Sequence, residues 1–165
     1  MKRLGKAIGV TVVGMLMLAA AANAAPARDS VVGSGLATTY FNQPLNFSAT
    51  SNPAGRNAQG TFDNGYYAGT VTCLNVTGPT PGGGVAAVVG GVVTSTANAP
   101  FWNFPVGTGV LFAVIDYGTF PPNVFADRFA QVSIPQPATT QDCRANITLP
   151  AYSFVNGNIT VTDAK

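Results

Sequence analysis

The stretch from Tyr66 to Val93 sets the strongest constraint on the fold. Residues 66–77 (YYAGTVTCLNVT) are dense in β-branched and aromatic side chains that suit a pleated surface. Residues 78–84 (GPTPGGG) cannot continue a strand, and residues 85–94 (VAAVVGGVVT) resume one. Together they read as a long antiparallel hairpin. Its second arm is apolar throughout, so both of its faces must be covered by other parts of the chain. On the first arm Val71 and Cys73 share one face while Leu74 and Val76 share the other. The apolar side therefore switches at Cys73, through either a bulge or burial of both faces.

The rest of the chain has the same character. Residues 36–40 and 45–49 form one or two strands kinked at Pro44, with Leu45, Phe47 and Ala49 on one side and Asn46 and Ser48 on the other. Residues 51–57 are a loop, 58–62 a short strand, and Asp63-Asn64-Gly65 a tight turn into Tyr66. After a long loop over 95–108, residues 109–117 (GVLFAVIDY) are apolar on both faces and mark a central strand. A loop over 118–125, a strand over 127–134 and a connection over 135–142 lead to Cys143. Strands at 146–154, broken at Pro150, and 158–162, joined by a turn at Asn156-Gly157, end the chain. Beyond the N-terminus nothing longer than a turn has helical periodicity. About eight short strands at this spacing imply an all-β domain, a single antiparallel β-barrel or β-sandwich.

The N-terminus differs. Lys2, Arg3 and Lys6 precede an apolar run from Ala7 to Ala22, and Ala22-Asn23-Ala24 places small residues where a signal peptidase cuts. The domain organisation is thus a signal peptide (1–24), a flexible N-terminal tail (25–32) and a β domain (33–165). The expected location is secreted: extracellular, periplasmic or at the cell envelope, with no membrane span after cleavage. Three of the eight basic residues leave with the signal, so five remain against six aspartates, a net of −1. No basic stripe is left to neutralise phosphates, which excludes a nucleic-acid partner. In an oxidising compartment the two cysteines, Cys73 and Cys143, form one disulfide. Cys73 lies about 23 Å along its strand from Tyr66 at roughly 3.3 Å per residue. Either the connection to Cys143 has travelled back along the sheet, or the strand starts nearer Gly69 with 66–68 finishing the turn. The second reading is preferred.

The sequence blocks VTCLNVTG (71–78), VVGG (88–91), Asp116-Tyr117-Gly118, the lone Cys143 and GNITVTDA (157–164) resemble a group of exported bacterial β domains. The resemblance spans roughly residue 33 to the end, and it implies the same β fold. No substrate, cofactor or catalytic residue is assigned to the group. The aromatic loop at 118–125 departs from its more polar pattern.

Chemistry is limited by what is missing. There is no histidine and no glutamate, which removes the usual general base, zinc and copper ligand and every imidazole-dependent triad. No catalytic, cofactor-binding or metal-ligating residue is therefore assigned, and no cofactor is expected. A carboxylate pair would have to join Asp116 to Asp127, Asp63 or Asp142, each beside turn residues that suit a capping role instead. Gly82–Gly84 and Gly107-Thr108-Gly109 lack the lysine and helix of a phosphate loop and are turns. Asn46, Asn75, Asn146 and Asn158 head Asn-x-Ser/Thr triplets that a Thr- and Asn-rich strand protein generates by chance.

Two aromatic loops remain. Phe101, Trp102 and Phe104 form a possible binding loop, either a lid on the core or an exposed anchor. Tyr117, Phe120 and Phe125 present the same choice. The expected function is an exported non-catalytic β domain with a structural or protein/surface-interaction role and an unknown protein or cell-surface partner. The alternative is a carrier of a small apolar ligand with an aromatic-lined barrel mouth. A filled interior favours the first and a hollow one the second.

Overall fold

A computed structural model describes residues 27–38, 42–97, 104–118, 127–145 and 153–164. The expected signal peptide, the start of the tail, Phe101, Trp102, Phe120, Phe125 and the break at Pro150 lie outside the described residues. The strands are β1 (Asp29–Ala37), β2 (Gln43–Ser51), β3 (Gln59–Asp63), β4 (Tyr67–Pro79), β5 (Val85–Thr96), β6 (Gly109–Asp116), β7 (Arg128–Ile134) and β8 (Ser153–Thr162), with a short helix α1 (Thr140–Arg144) before the last. Each strand pairs antiparallel with the one before it, and β8 returns to β1, so the sheet closes into an eight-strand barrel in sequence order. Of the two architectures open from the sequence, the barrel is the one formed.

Three local expectations are corrected. First, β1 runs from Asp29 to Ala37 and so begins within the segment expected to be a tail; the last two residues of the strand expected over 36–40 lie outside the described residues. Its glycines disguise it, yet Gly33 is required there: a Cβ would run into the ring of Phe47, its partner on β2. Second, Asn156-Gly157 is not a turn, because β8 runs straight through it. Gly157 faces Gly35 on β1, and a Cβ on Gly157 would strike the Ser34 carbonyl. The glycine serves close approach of two backbones rather than a reversal.

Third, the pairing register of β4 with β5 slips between Val71 and Cys73. That bulge returns Leu74 and Val76 to the side of Val71, in the interior, and leaves Cys73 outside. Of the two explanations left open for the switch at Cys73 the bulge is the one formed, and it separates Val71 from Cys73 rather than leaving them on one face.

Side chains fill the barrel, as the width of eight strands allows. Val31, Leu45, Val89, Val110, Val114 and Ile159 are among the fully buried side chains lining it. A chain of rings runs through them. Phe104 meets Tyr67 edge-on at 4.9 Å, Tyr67 meets Phe62 at 6.1 Å, Phe62 meets Phe112 at 5.0 Å, and Phe112 stacks on Phe129 at 5.6 Å. Each of the buried phenylalanines Phe62, Phe112 and Phe129 contributes roughly 1.5–3 kcal/mol through removal from water.

The outside of the barrel is also covered, on one side. The segment after β7 turns back over β4 and β5, and Thr139 caps α1 there, accepting from the Asp142 backbone N–H while the Asp142 carboxylate accepts from the Thr139 N–H. Beneath this strap Cys73, Leu111, Ala138 and Cys143 form a second small core with Val88, Val132 and Ile134 packed against it. The Cys73–Cys143 disulfide, with Cα atoms 6.1 Å apart, fastens the strap to the wall. Gly90 makes the space, since a Cβ would collide with both sulfur atoms. The preferred placement of the β4 start near Gly69 is thereby overturned. β4 starts at Tyr67, and the chain before Cys143 travels back along the barrel. The bond pins that connection to β4.

Removing the bond should release the strap and spare the barrel. With 70 positions between the cysteines, the pair Cys73→Ala and Cys143→Ala should lose about 4 kcal/mol on the chain-entropy model. Hydrogen exchange should show the Ala138 amide, bonded to the Gly91 carbonyl, losing protection before the β4–β6 amides. Simultaneous loss across those strands would refute a separable strap.

Candidate functional site

The aspartates are the only acidic residues, and five of the six accept from backbone N–H groups. Asp63 accepts from the Gly65 N–H at 2.7 Å and Asp116 from the Gly118 N–H at 2.6 Å, each holding a tight turn. Asp29 accepts from the Ala164 N–H at 3.1 Å. Asp142 accepts from the Thr139 hydroxyl at 2.6 Å and its N–H at 2.7 Å, which together hold its carboxyl below the ordinary aspartate range.

Asp116 and Asp127 have a larger task. The ladder between β7 and β8 is described over two residue pairs, Arg128 with Phe154 and Phe129 with Ser153. Further along β8 the amides that face the β6–β7 connection meet carboxylates instead. Asp127 Oδ2 accepts from the Ile159 N–H at 2.6 Å while Oδ1 accepts from the Tyr117 N–H at 3.0 Å. Asp116 Oδ2 accepts from the Val161 N–H at 2.9 Å. Of the carboxylate pairs available from the sequence, the structure brings together Asp116 and Asp127 and leaves Asp63 and Asp142 elsewhere. Both oxygens of Asp127 are engaged, and the residue is 7 % exposed.

One end of the interior holds the second set of polar groups. Tyr67 is buried and donates its phenol to Gln131 Oε1 at 2.9 Å; burial pushes its pKa well above the usual tyrosine value. Gln43 is 1 % exposed, with neither end of its amide paired, and Asn64, which caps the turn into β4 through Oδ1, has an unpaired Nδ2. Phe104, the described member of the possible binding loop, is half-buried and packs over Tyr67. Tyr117 is buried, with the Arg128 guanidinium 5.9 Å from its ring centre.

A third candidate appears only in three dimensions. Gly33, Phe47, Phe62 and Gly69 are successive partners across β1–β4, all with their side-chain positions toward the interior. Their backbones form the floor of a groove of about 490 Å³ that crosses the strands on the outside of the barrel. One wall is the registered row Ser48, Thr61, Thr70; the other is Asn46, Asp63, Ala68. An adjoining groove of about 310 Å³ shares Asp63 and Ala68 and is bounded by Tyr66, Ser95 and Thr96. Sequence reasoning passes over these residues because each is an ordinary outward position on its own strand. Only the register unites them, and alternation over residues 45–49 was its one visible trace.

No family model, curated protein or solved structure matches the chain.

Two outcomes test these assignments. Asp127→Asn puts an NH₂ group against a backbone N–H that needs an acceptor, and should lower stability by about 2–3 kcal/mol in urea denaturation. Asp63→Asn should change it by less than about 0.5 kcal/mol, because asparagine makes the same turn bond. Equal effects would remove the special role of the seam.

Tyr67→Phe tests the buried phenol through pH. It should cost about 1 kcal/mol near neutrality for the lost hydrogen bond. The folded state raises the Tyr67 pKa, so only the unfolded chain releases that proton near pH 10, and the parent loses stability above that point. The Phe variant lacks this loss, so its deficit should shrink between about pH 9 and pH 11. A deficit that stays constant would contradict burial of the phenol.

Proposed function

We propose that this is an exported, non-catalytic β-barrel domain with a structural or surface-interaction role, exercised through the outer face of β1–β4. The basic-apolar-small leader at residues 1–24 supports export. A disulfide, and the absence of any helix among the described residues long and apolar enough to cross a membrane, are compatible with an extracellular or periplasmic site.

The observation that carries the reading is the contrast between inside and outside. The axis along which a carrier would hold an apolar molecule is taken by Tyr67, Phe62, Phe112 and Phe129. The concave space described lies on the outer wall, where the hydroxyl, amide and carboxylate side chains of Ser48, Thr61, Thr70, Asn46 and Asp63 stand with Ala68 over a floor formed at Gly33, Phe47, Phe62 and Gly69. Against catalysis stand the missing histidine and glutamate and a carboxylate pair engaged with β8 amides.

Two measurements test this. The exported chain, fluorescently labelled, should sediment saturably with washed envelopes of the producing cells, and Ala68→Arg, which fills the groove from its wall, should remove most of that retention. Retention indifferent to Ala68→Arg would overturn the docking face, and no retention would overturn the interaction role. Broad hydrolase screening should give no turnover; activity that Asp116→Asn or Asp127→Asn abolishes would make the protein an enzyme.

A further inference from the structure

Resting on the docking face just proposed, we infer that the groove across β1–β4 is a binding site for a neutral oligosaccharide chain. The chemistry of the walls selects the ligand. Ser48, Thr61 and Thr70 offer three hydroxyls in one registered row, each able to donate and accept, and Asn46 opposite offers both functions through its amide. Asp63 spends Oδ1 on the Gly65 N–H, and Oδ2 is left to accept from a ligand hydroxyl. A surface of short groups that both donate and accept complements a molecule built of hydroxyls.

Other ligand classes are matched less well. Asp63 is the one charged side chain on the outward positions of β1–β4, so nothing there attracts a phosphate, sulfate or uronate, and a single carboxylate is too little for a polycation. A peptide strand would add to a free sheet edge, and at the groove each of the four strands is paired on both sides.

Dimensions agree. The floor spans four strands, about 14 Å at a spacing of roughly 4.8 Å, and the walls stand two residues apart along each strand, about 7 Å. That is a trough for a short run of sugar rings lying edgewise. Where it meets the adjoining groove, the partly exposed ring of Tyr66 offers the apolar surface on which the C–H face of a pyranose packs.

The test is an amide NMR titration of the exported chain with three neutral hexasaccharides: the β-1,4-glucose, α-1,4-glucose and β-1,4-N-acetylglucosamine oligomers. At least one should give saturable shifts at the Phe62 and Gly69 amides on the floor, and an oligogalacturonate should bind more weakly. Thr61→Val with Thr70→Val keeps shape and strand preference while deleting two hydroxyls, and should weaken binding by about tenfold or more. No saturable shift with any of the three, or binding unchanged in the valine variant, would overturn the assignment. If that happens while Ala68→Arg still abolishes envelope retention, the docking face stands and its ligand is not a neutral saccharide.

Discussion

Closure of the barrel depends on carboxylate-to-amide bonds at one seam. A sheet that closes must satisfy both edges of every strand, since an unpaired buried N–H carries a penalty of about 1–3 kcal/mol. Along β8 the edge toward β1 is paired over eight residues, from Ala37 with Val155 to Ser30 with Thr162. The other edge is not completed by backbone alone. Asp127 and Asp116 reach it from the β6–β7 connection, and each also holds an amide of its own turn. Side chains thus substitute for a length of ladder, and charge-assisted bonds of this kind are shorter and stronger than neutral ones. Six aspartates without one glutamate suit that use, because the shorter side chain reaches a nearby amide with fewer rotamers to freeze.

The two halves of the outer wall are finished differently. Over β4–β6 the outward positions Cys73, Val88 and Leu111 are apolar and lie beneath the strap that the disulfide fastens. Over β1–β4 the outward positions mix serine, threonine and asparagine with Asp63, Ala68 and the exposed Val32 and Leu36, with no cover described. Strap and groove occupy different faces of one cylinder, and both meet on β4, where the bulge after Val71 turns the face from polar to covered. The groove therefore lies on a wall that the interior rings support from within: a Cβ on Gly69 would collide with the Phe62 ring.

How legible was this in the sequence? Strands with strict alternation or continuous apolarity, such as residues 45–49 and 109–117, are read directly, because burial on one face or two leaves a pattern in the residues themselves. β1 escapes because Gly33 and Gly35 lower local strand preference in return for space that Phe47 and β8 need. Asn156-Gly157 misleads for the same reason, its glycine answering a neighbour rather than the local chain. The disulfide partners follow from there being two cysteines, but their geometry does not, since a connection that travels over the outside of a barrel leaves no periodic mark. The turn roles of Asp63 and Asp116 are local and visible. The bond from Asp127 to Ile159 spans 32 positions and, like the groove, exists only through register.

The antiparallel pairing of β1 with β8 has a mechanical corollary. Ser30 sits opposite Thr162, so both ends of the domain emerge together at one rim. Tension between them would peel these two staves apart one bond at a time, a geometry that yields at low force, and would next reach the aspartate seam. Extension stops where covalent chemistry intervenes: the ring closed by Cys73 and Cys143 contains β5, β6 and β7. Under pull that ring cannot be drawn out, so a stretched molecule would keep a compact knot of three staves while the first strands pay out as slack.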